Sequence, residues 1–517
     1  MKKLVSTAAI AAATWTAAVL PPAHADDNPF QAEGFGKRLD FGETVDALAR
    51  LKAIELFGVI APLRESSSTS LAADEVNANP ARILTVAPGL KVRAVSAAAT
   101  LGAITDQMVL WPNSAQPTHL IVCNEGGTST VAVQRVNLKT GVAEDIVRSG
   151  ISTCDPVRST PWGTILVGEE AGGGGRLFEI LDPLHTTGVT ISGSGAATVS
   201  SDPAHVVFRP AVGTLSWEGL ALFPNGVLYM TDESRPGLGN PGGGIFKFIP
   251  TTLWDGGAAI TSLAQSPLTS GRIFGFRAGR NNNSTDFGQG NEFGRGVWVE
   301  VTNRADVGST PINLRAAGGL LRMTSYYRPE DASVDLKQLA QGNVRFCGTN
   351  TGQDVPEQEA NGDNHWGEVY CFRDGTVQQA GSIVETIQSV TSGPLSGSVY
   401  TLNSASTPEY QPLVFGNLDF AMMDNVAYQP GRGNWVFNED GEGPTYPTPR
   451  NNDIWSCLDD GDDLNTLADA CMKIGTLNDL TAESTGGVFD ASGKRYYVSI
   501  QHNITGHGII LEVSGWR

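Results

Sequence analysis

Residues 217–233 read WEGLALFPNGVLYMTDE, and this stretch sets the format of the chain. An acidic residue, Glu218, opens a short apolar run. Pro224-Asn225-Gly226 then turns the chain, and a second run closes on Asp232-Glu233. Asn-Gly between two apolar runs is a strong hairpin signal, because both central residues of the favoured tight turn need positive φ. The same format recurs at 423–441, MDNVAYQPGRGNWVFNEDG, and more loosely at 484–503, STGGVFDASGKRYYVSIQHN. Between these lie further short runs, among them THLIVCNEG, TVAVQRVNL, GTILVGEEA, GGIFKFIP, GRGVWVEVT and GEVYCFRDG. Repeated hairpins of this kind resemble the inner two strands of a propeller blade. The expected fold is all-β, a six-bladed β-propeller over residues 82–517, since about 430 residues divide into six at roughly 65–75 each. A large β-sandwich or a β-helix is the alternative.

Outside that region the text changes. Lys2-Lys3, an apolar run from Leu4 to Leu20 and Ala23-His24-Ala25 form a secretory leader over residues 1–25. No other stretch is long and apolar enough to span a bilayer. Export to the periplasm or the exterior follows as an expectation. Residues 26–81 read as a helical and loop-rich segment whose one amphipathic helix is TVDALARLKAIELFGVIA, residues 44–61.

The chain has 517 residues, with 35 Lys+Arg against 54 Asp+Glu for a formal charge of −19, so nucleic-acid and anionic-membrane partners are poor fits. Its 61 Gly and 28 Pro suit a chain that turns often. A monomer acting on a small molecule is expected. Export permits disulfides. Cys347 and Cys371 lie in adjacent strand-like runs, and Cys457 and Cys471 bracket an acidic loop; both pairs are candidate bridges. Cys123 and Cys154 remain: they pair with each other, or one is kept as a thiolate for a metal.

Familiar catalytic motifs are missing. There is no G-x-x-x-x-G-K-[ST], no H-E-x-x-H and no G-x-S-x-G. The Gly172–Gly175 run is a turn and not a phosphate loop, because no helix follows it. A calcium loop starting at Asp459 would need Glu at position 470, where the chain has Ala470.

What recurs is carboxylates at the ends of apolar runs: Glu125, Glu169-Glu170, Glu218, Asp232-Glu233, Glu330 and Asp424. In a propeller these ends converge on one axial mouth, where like charges need a multivalent cation to hold them together; hard oxygen ligands suit calcium. Arg328 lies two residues before Glu330, on the same side of an extended segment. A guanidinium beside metal-binding carboxylates can grip a phosphoryl group bidentately. Cys154 would add a soft ligand suited to iron.

With these residues in place, the chain resembles the PhoX-type alkaline phosphatases, secreted bacterial enzymes. The matching text is Cys154 with Thr160-Pro161-Trp162-Gly163-Thr164 and Glu169-Glu170, then Glu218-Gly219, Asp232-Glu233, Arg328-Pro329-Glu330-Asp331, Asp424-Asn425, Glu483-Ser484-Thr485-Gly486 and Gln501-His502. The resemblance spans roughly residues 118–515. It implies a metal-dependent phosphoric monoester hydrolase whose central site holds iron(III) and calcium around a bridging oxo group. Carried over residue by residue, Cys154 would ligate iron, and Glu170, Glu218, Glu233, Glu330 and Asp424 would belong to the metal shell; Glu169 and Asp232, their strand-end neighbours, are expected as metal ligands beside them. Arg328 would bind the phosphate and, with Glu330, act in catalysis. Lys2-Lys3 stand where the family carries twin arginines, which points to the general secretory route. Trp217 stands where the family tends to have His. The alternatives are a calcium-dependent propeller lactonase or phosphotriesterase, and a non-catalytic calcium-stabilised propeller.

Overall fold

A computed structural model describes residues 51–517 apart from 236–241, 279–292, 303–309, 353–365, 392–395, 442–445, 447–448 and 462–465. The leader over residues 1–25 and the first half of the expected 44–61 helix lie outside the described residues. What is described of that helix is Ala53–Phe57, which stops before the expected end at residue 61. Gly58 ends it: at φ 73° its N–H returns to the carbonyl of Ile54, and the N–H of Val59 to that of Ala53, a left-handed cap that glycine adopts without strain.

The all-β expectation holds: the fold is a β-propeller. Six strands stand innermost: Thr105–Trp111, Cys154–Ser159, Trp217–Leu222, Pro329–Val334, Met423–Tyr428 and Glu483–Phe489. Each lies against the next, and the last returns to the first, so they close a ring. Each also pairs antiparallel with the strand that follows it, as the hairpin text requires. Hydrogen bonding nevertheless gathers the strands into five sheets and not six separate ones. The strand Gly294–Glu300 pairs with Gly271–Ala278 on one side and Glu409–Phe415 on the other, which fuses the third and fourth hairpin units into one eleven-stranded sheet. An outer edge that pairs with its neighbour leaves no unpaired backbone row there.

The chain termini are tied together. Lys91–Ser96 pairs with Ile509–Ser514, so the last unit takes its outermost strand from the beginning of the described chain. Leu84–Val86 likewise pairs with Cys471–Leu477. The segment before residue 82 does not stand apart, because Phe57, Val59 and Val76 are buried in the same apolar cluster as Val498, Leu511 and Trp516. Cys347–Cys371 and Cys457–Cys471 each join residues directly opposite one another in paired strands. Among the described residues no helix is long and apolar enough to cross a membrane.

Candidate functional site

The top of each innermost strand carries the chemistry, and a backbone irregularity explains why. In the first unit Thr105 faces Asn124 but Met108 faces Val122, so one extra residue is inserted on the inner strand. The same one-residue shift follows Cys154, Trp217, Pro329 and Met423. A β-bulge breaks the strict alternation of side chains and re-aims the bulged residue. In these five strands the second residue is Asp106, Asp155, Glu218, Glu330 and Asp424, and all five carboxylates line one axial cavity. In the sixth strand the shift comes later, after Thr485, and the second residue is Ser484.

A second tier comes from the residue just past each second strand: Glu125, Glu170, Glu233, Thr351, Asp440 and His502. In the first five units its N–H donates to the carbonyl just before the innermost strand, of Ile104, Thr153, Ser216, Arg328 and Met422 in turn, at 2.8–3.0 Å. The repeat thus fixes both tiers by main-chain bonds.

The cavity has a volume of about 660 Å³. Nine carboxylates line it, from Asp106, Glu125, Asp155, Glu170, Glu218, Glu330, Asp424, Asp440 and Glu483, together with Arg328, His502 and neutral groups such as Asn452, Thr481 and Gln501. Asp106, Glu125 and Asp155 each bring an oxygen within 4.8 Å of the others, as do Asp155, Glu170 and Glu218. Two unit charges at that spacing repel by roughly 3 kcal/mol at an effective dielectric of about 20, so the ionised cluster needs compensation. Burial, and then mutual repulsion, push Glu125, Asp155, Glu218, Asp424 and Glu483 well above the usual carboxylate range. Burial drives Asp106 and Glu170 up to about 7. One Asp155 oxygen, Oδ1, is buried with no hydrogen-bond donor among the described residues.

Arg328 sits among these acids at φ 52°, a left-handed conformation uncommon for a residue with a Cβ. Its Nε donates to Glu233 Oε1 at 2.9 Å and lies 3.1 Å from Glu330 Oε1, while Nη2 is 3.6 Å from Asp440 Oδ2. Burial works against its charge, yet Glu330, Glu233 and Asp440 outweigh that and hold its proton more tightly than usual. Below it, Arg158 bonds Asp331 and the carbonyls of Leu220 and Ala332, which ties three units together under the mouth.

Of the residues expected in the site, Glu170, Glu218, Arg328, Glu330 and Asp424 line the cavity, and Glu233 borders it through Arg328. Three are elsewhere. Glu169 is buried against Arg176, which donates Nε at 2.7 Å and Nη2 at 2.6 Å to its two oxygens. Asp232 accepts from Arg315 at 2.8 and 2.9 Å and from the N–H of Ser216. Both are the last residue of a strand, one place before a second-tier residue, so alternation turns them away from the mouth. Cys154 offers no thiolate because its sulfur is bonded to Cys123. Asp106, Asp155 and Asp440 were missed by sequence reasoning, Glu125 was grouped with the cation-holding strand-end carboxylates but not among the metal ligands, and Glu483 was given no role. For Asp106, Asp155, Glu125 and Asp440 the common signal is position, one place inside an innermost strand or one place beyond the second, whereas Glu483 is the first residue of its innermost strand.

A carboxylate-lined axial mouth with one guanidinium held in it, on a ring of antiparallel hairpins, defines an acidic-mouthed β-propeller of the kind that gathers cations. The chain belongs to the alkaline phosphatase PhoX family, whose model matches residues 197–503. Asp106, Glu125, Asp155, Glu170 and the Cys123–Cys154 bond of the first two units precede the matched region. No curated protein matches the chain. Among solved structures it is similar to PhoX of Pseudomonas fluorescens in complex with vanadate, a transition-state analogue, at 13% identity and a TM-score of 0.54, over 87% of this chain and 97% of that one. A gluconolactonase of Xanthomonas campestris also matches, at 9% identity and a TM-score of 0.38, over 88% and 96%. So does a virginiamycin B lyase of Staphylococcus aureus, at 10% identity and a TM-score of 0.34, over 82% and 99%.

Proposed function

We propose that this protein is an exported, monomeric, calcium-dependent phosphatase that hydrolyses small phosphate monoesters at the axial mouth. Membership of the PhoX family supports the reaction class, and one observation carries the site: nine carboxylates, six buried and three half-buried, converge on a cavity that also holds Arg328. Hard divalent cations fit these residues, since every anionic donor is oxygen and Asp155 Oδ1 is buried without a donor. Asp106, Glu125 and Asp155 would hold one cation, and Asp155, Glu170 and Glu218 a second. A ferric ion held by the Cys154 thiolate does not fit, because Cys123 occupies that sulfur. Cations bound there would polarise the phosphoryl oxygens and stabilise the charge that develops on them.

The chain's own part is to place and neutralise. Glu233 and Glu330 fix the guanidinium of Arg328 at Nε, which orients its planar fork for an anionic phosphoryl group. The strained backbone at Arg328 sets that direction, and Pro329 follows to start the strand. The neutral rim of Asn452, Thr481 and Ala482 leaves room for an uncharged leaving group.

The test is hydrolysis of para-nitrophenyl phosphate by calcium-loaded and chelator-treated protein. Turnover that needs calcium and falls sharply in Arg328→Ala supports the reading; equal turnover in that variant overturns the role of Arg328. The disulfide favours a second reading, a calcium-dependent lactonase or phosphotriesterase, because neither requires the Cys154 thiolate. Hydrolysis of a lactone or a phosphotriester in place of the monoester would select it. Calcium-dependent stability with no turnover on any ester would select a non-catalytic propeller.

A further inference from the structure

The three disulfides are not equivalent. Cys347–Cys371 and Cys457–Cys471 cross-link strands that are already hydrogen-bonded to each other. Cys123–Cys154 joins two separate sheets, from the second strand of the first unit to the innermost strand of the second, with 5.0 Å between the Cα atoms. Both cysteines are fully buried in an apolar cluster with Ile121, Val133 and Val157, so this bond lies in the core and not at the surface.

Its place relative to the acids is specific. Cys123 lies two residues before Glu125, on the same side of an extended segment, and Cys154 immediately precedes Asp155. The triad Asp106, Glu125 and Asp155 straddles the same seam, with two members from the first unit and one from the second. Repulsion among the three carboxylates acts to open that seam. The main-chain bond from Thr153 N–H to Gly126 O crosses it nearby, and the disulfide crosses it covalently.

Resting on the reading of the mouth as a cation centre, we propose that the Cys123–Cys154 bond is a positioning element of that centre: it holds Glu125 and Asp155 at ligand spacing across the seam, so that the pair of cysteines serves as a brace and not as a source of a metal-binding thiolate.

The experiment is calorimetric titration of chelator-stripped protein with calcium chloride. Cys123→Ala combined with Cys154→Val is expected to weaken at least one calcium step about tenfold or more, the range for groups that orient metal ligands. Cys347→Ala combined with Cys371→Val, which removes a disulfide within one sheet, is expected to leave every step within about twofold, well under that range. In a Glu125→Gln background, loss of the brace should have no further effect on the affected step. Wild-type affinity in the brace variant, equal weakening by both cysteine pairs, or simple additivity with Glu125→Gln would each overturn the proposal. If the brace variant does not fold, Cys123→Ser combined with Cys154→Ser, titrated in the same way against the Cys347–Cys371 pair, gives the same comparison. Cys123→Ala alone leaves a free Cys154, and a thiolate-to-iron absorption band with tighter ferric binding than wild type would also overturn it. Wild-type protein that takes up no calcium fails the cation reading itself, a result visible without any variant.

Discussion

Glu169 and Glu170 are neighbours in the chain with opposite surroundings: one is buried against Arg176, the other faces the cavity. Asp232 and Glu233 divide the same way, as do Glu439 and Asp440, with Arg315 and Arg450 taking the inward-turned member. The pairs Glu169-Glu170 and Asp232-Glu233 were legible in the sequence and Glu439-Asp440 was not; which member faces the mouth could not be read in any of them, because that depends on register and on arginines 7, 83 and 11 residues away. The roles predict different losses. Arg176→Ala leaves Glu169 buried and uncompensated, so unfolding in urea should show a loss of about 3–5 kcal/mol with calcium stoichiometry unchanged. Arg328→Ala keeps the left-handed backbone, since alanine still carries a Cβ, and leaves Glu233 and Glu330 without their cation, so stability falls here too; what sets it apart is that kcat for a phosphate ester falls about 10²–10³-fold. Steady-state kinetics alongside the urea curves separate the two.

At the scale of the element, the hairpin units could be read because their turns and alternation are local signals. The bulges could not, since the extra residue is visible only against the partner strand. That is why Glu218, inside a clear hairpin, was found and Asp106 and Asp155 were not. Disulfides within a sheet were legible for the same local reason, whereas Cys123–Cys154 joins two sheets and its pairing stayed open. The bulge after Trp217 depends on Gly219, whose N–H donates to Thr231 Oγ1 at 2.6 Å. A Cβ at this position would stand 2.7 Å from both the carbonyl oxygen of Glu330 and Thr231 Oγ1. Gly219→Ala should therefore displace Glu218 and Glu330 together, lowering stability by about 1–3 kcal/mol and weakening calcium binding in the same titration. Unchanged calcium affinity would show that the bulge does not set the carboxylates.

For the whole molecule, the balance of −19 is concentrated in part at one point, and its sign of response to pH depends on cations. Without them, Asp106 and Glu170, raised to about 7 by burial, bind protons that the unfolded chain has released, so the stability they contribute is complete below about pH 4 and is lost as the pH rises to about 7. Chelator-treated protein should melt at progressively lower temperature over that interval. With calcium the carboxylates are held ionised and the trend should reverse, the melting temperature falling as the pH is lowered; at 100 times the dissociation constant each site adds about 2.7 kcal/mol. Thermal melts across pH 4–8 with and without calcium check both arms. The closure of the ring adds a consequence in time. Lys91–Ser96 is among the first described strands to be made, and its partner Ile509–Ser514 is the last. At about 5–20 residues per second of synthesis, the early strand waits roughly 20–80 s for the late one. Until then the ring stays open on one side, its acids do not yet converge, and the nascent chain has a ribbon edge that chaperones must shield.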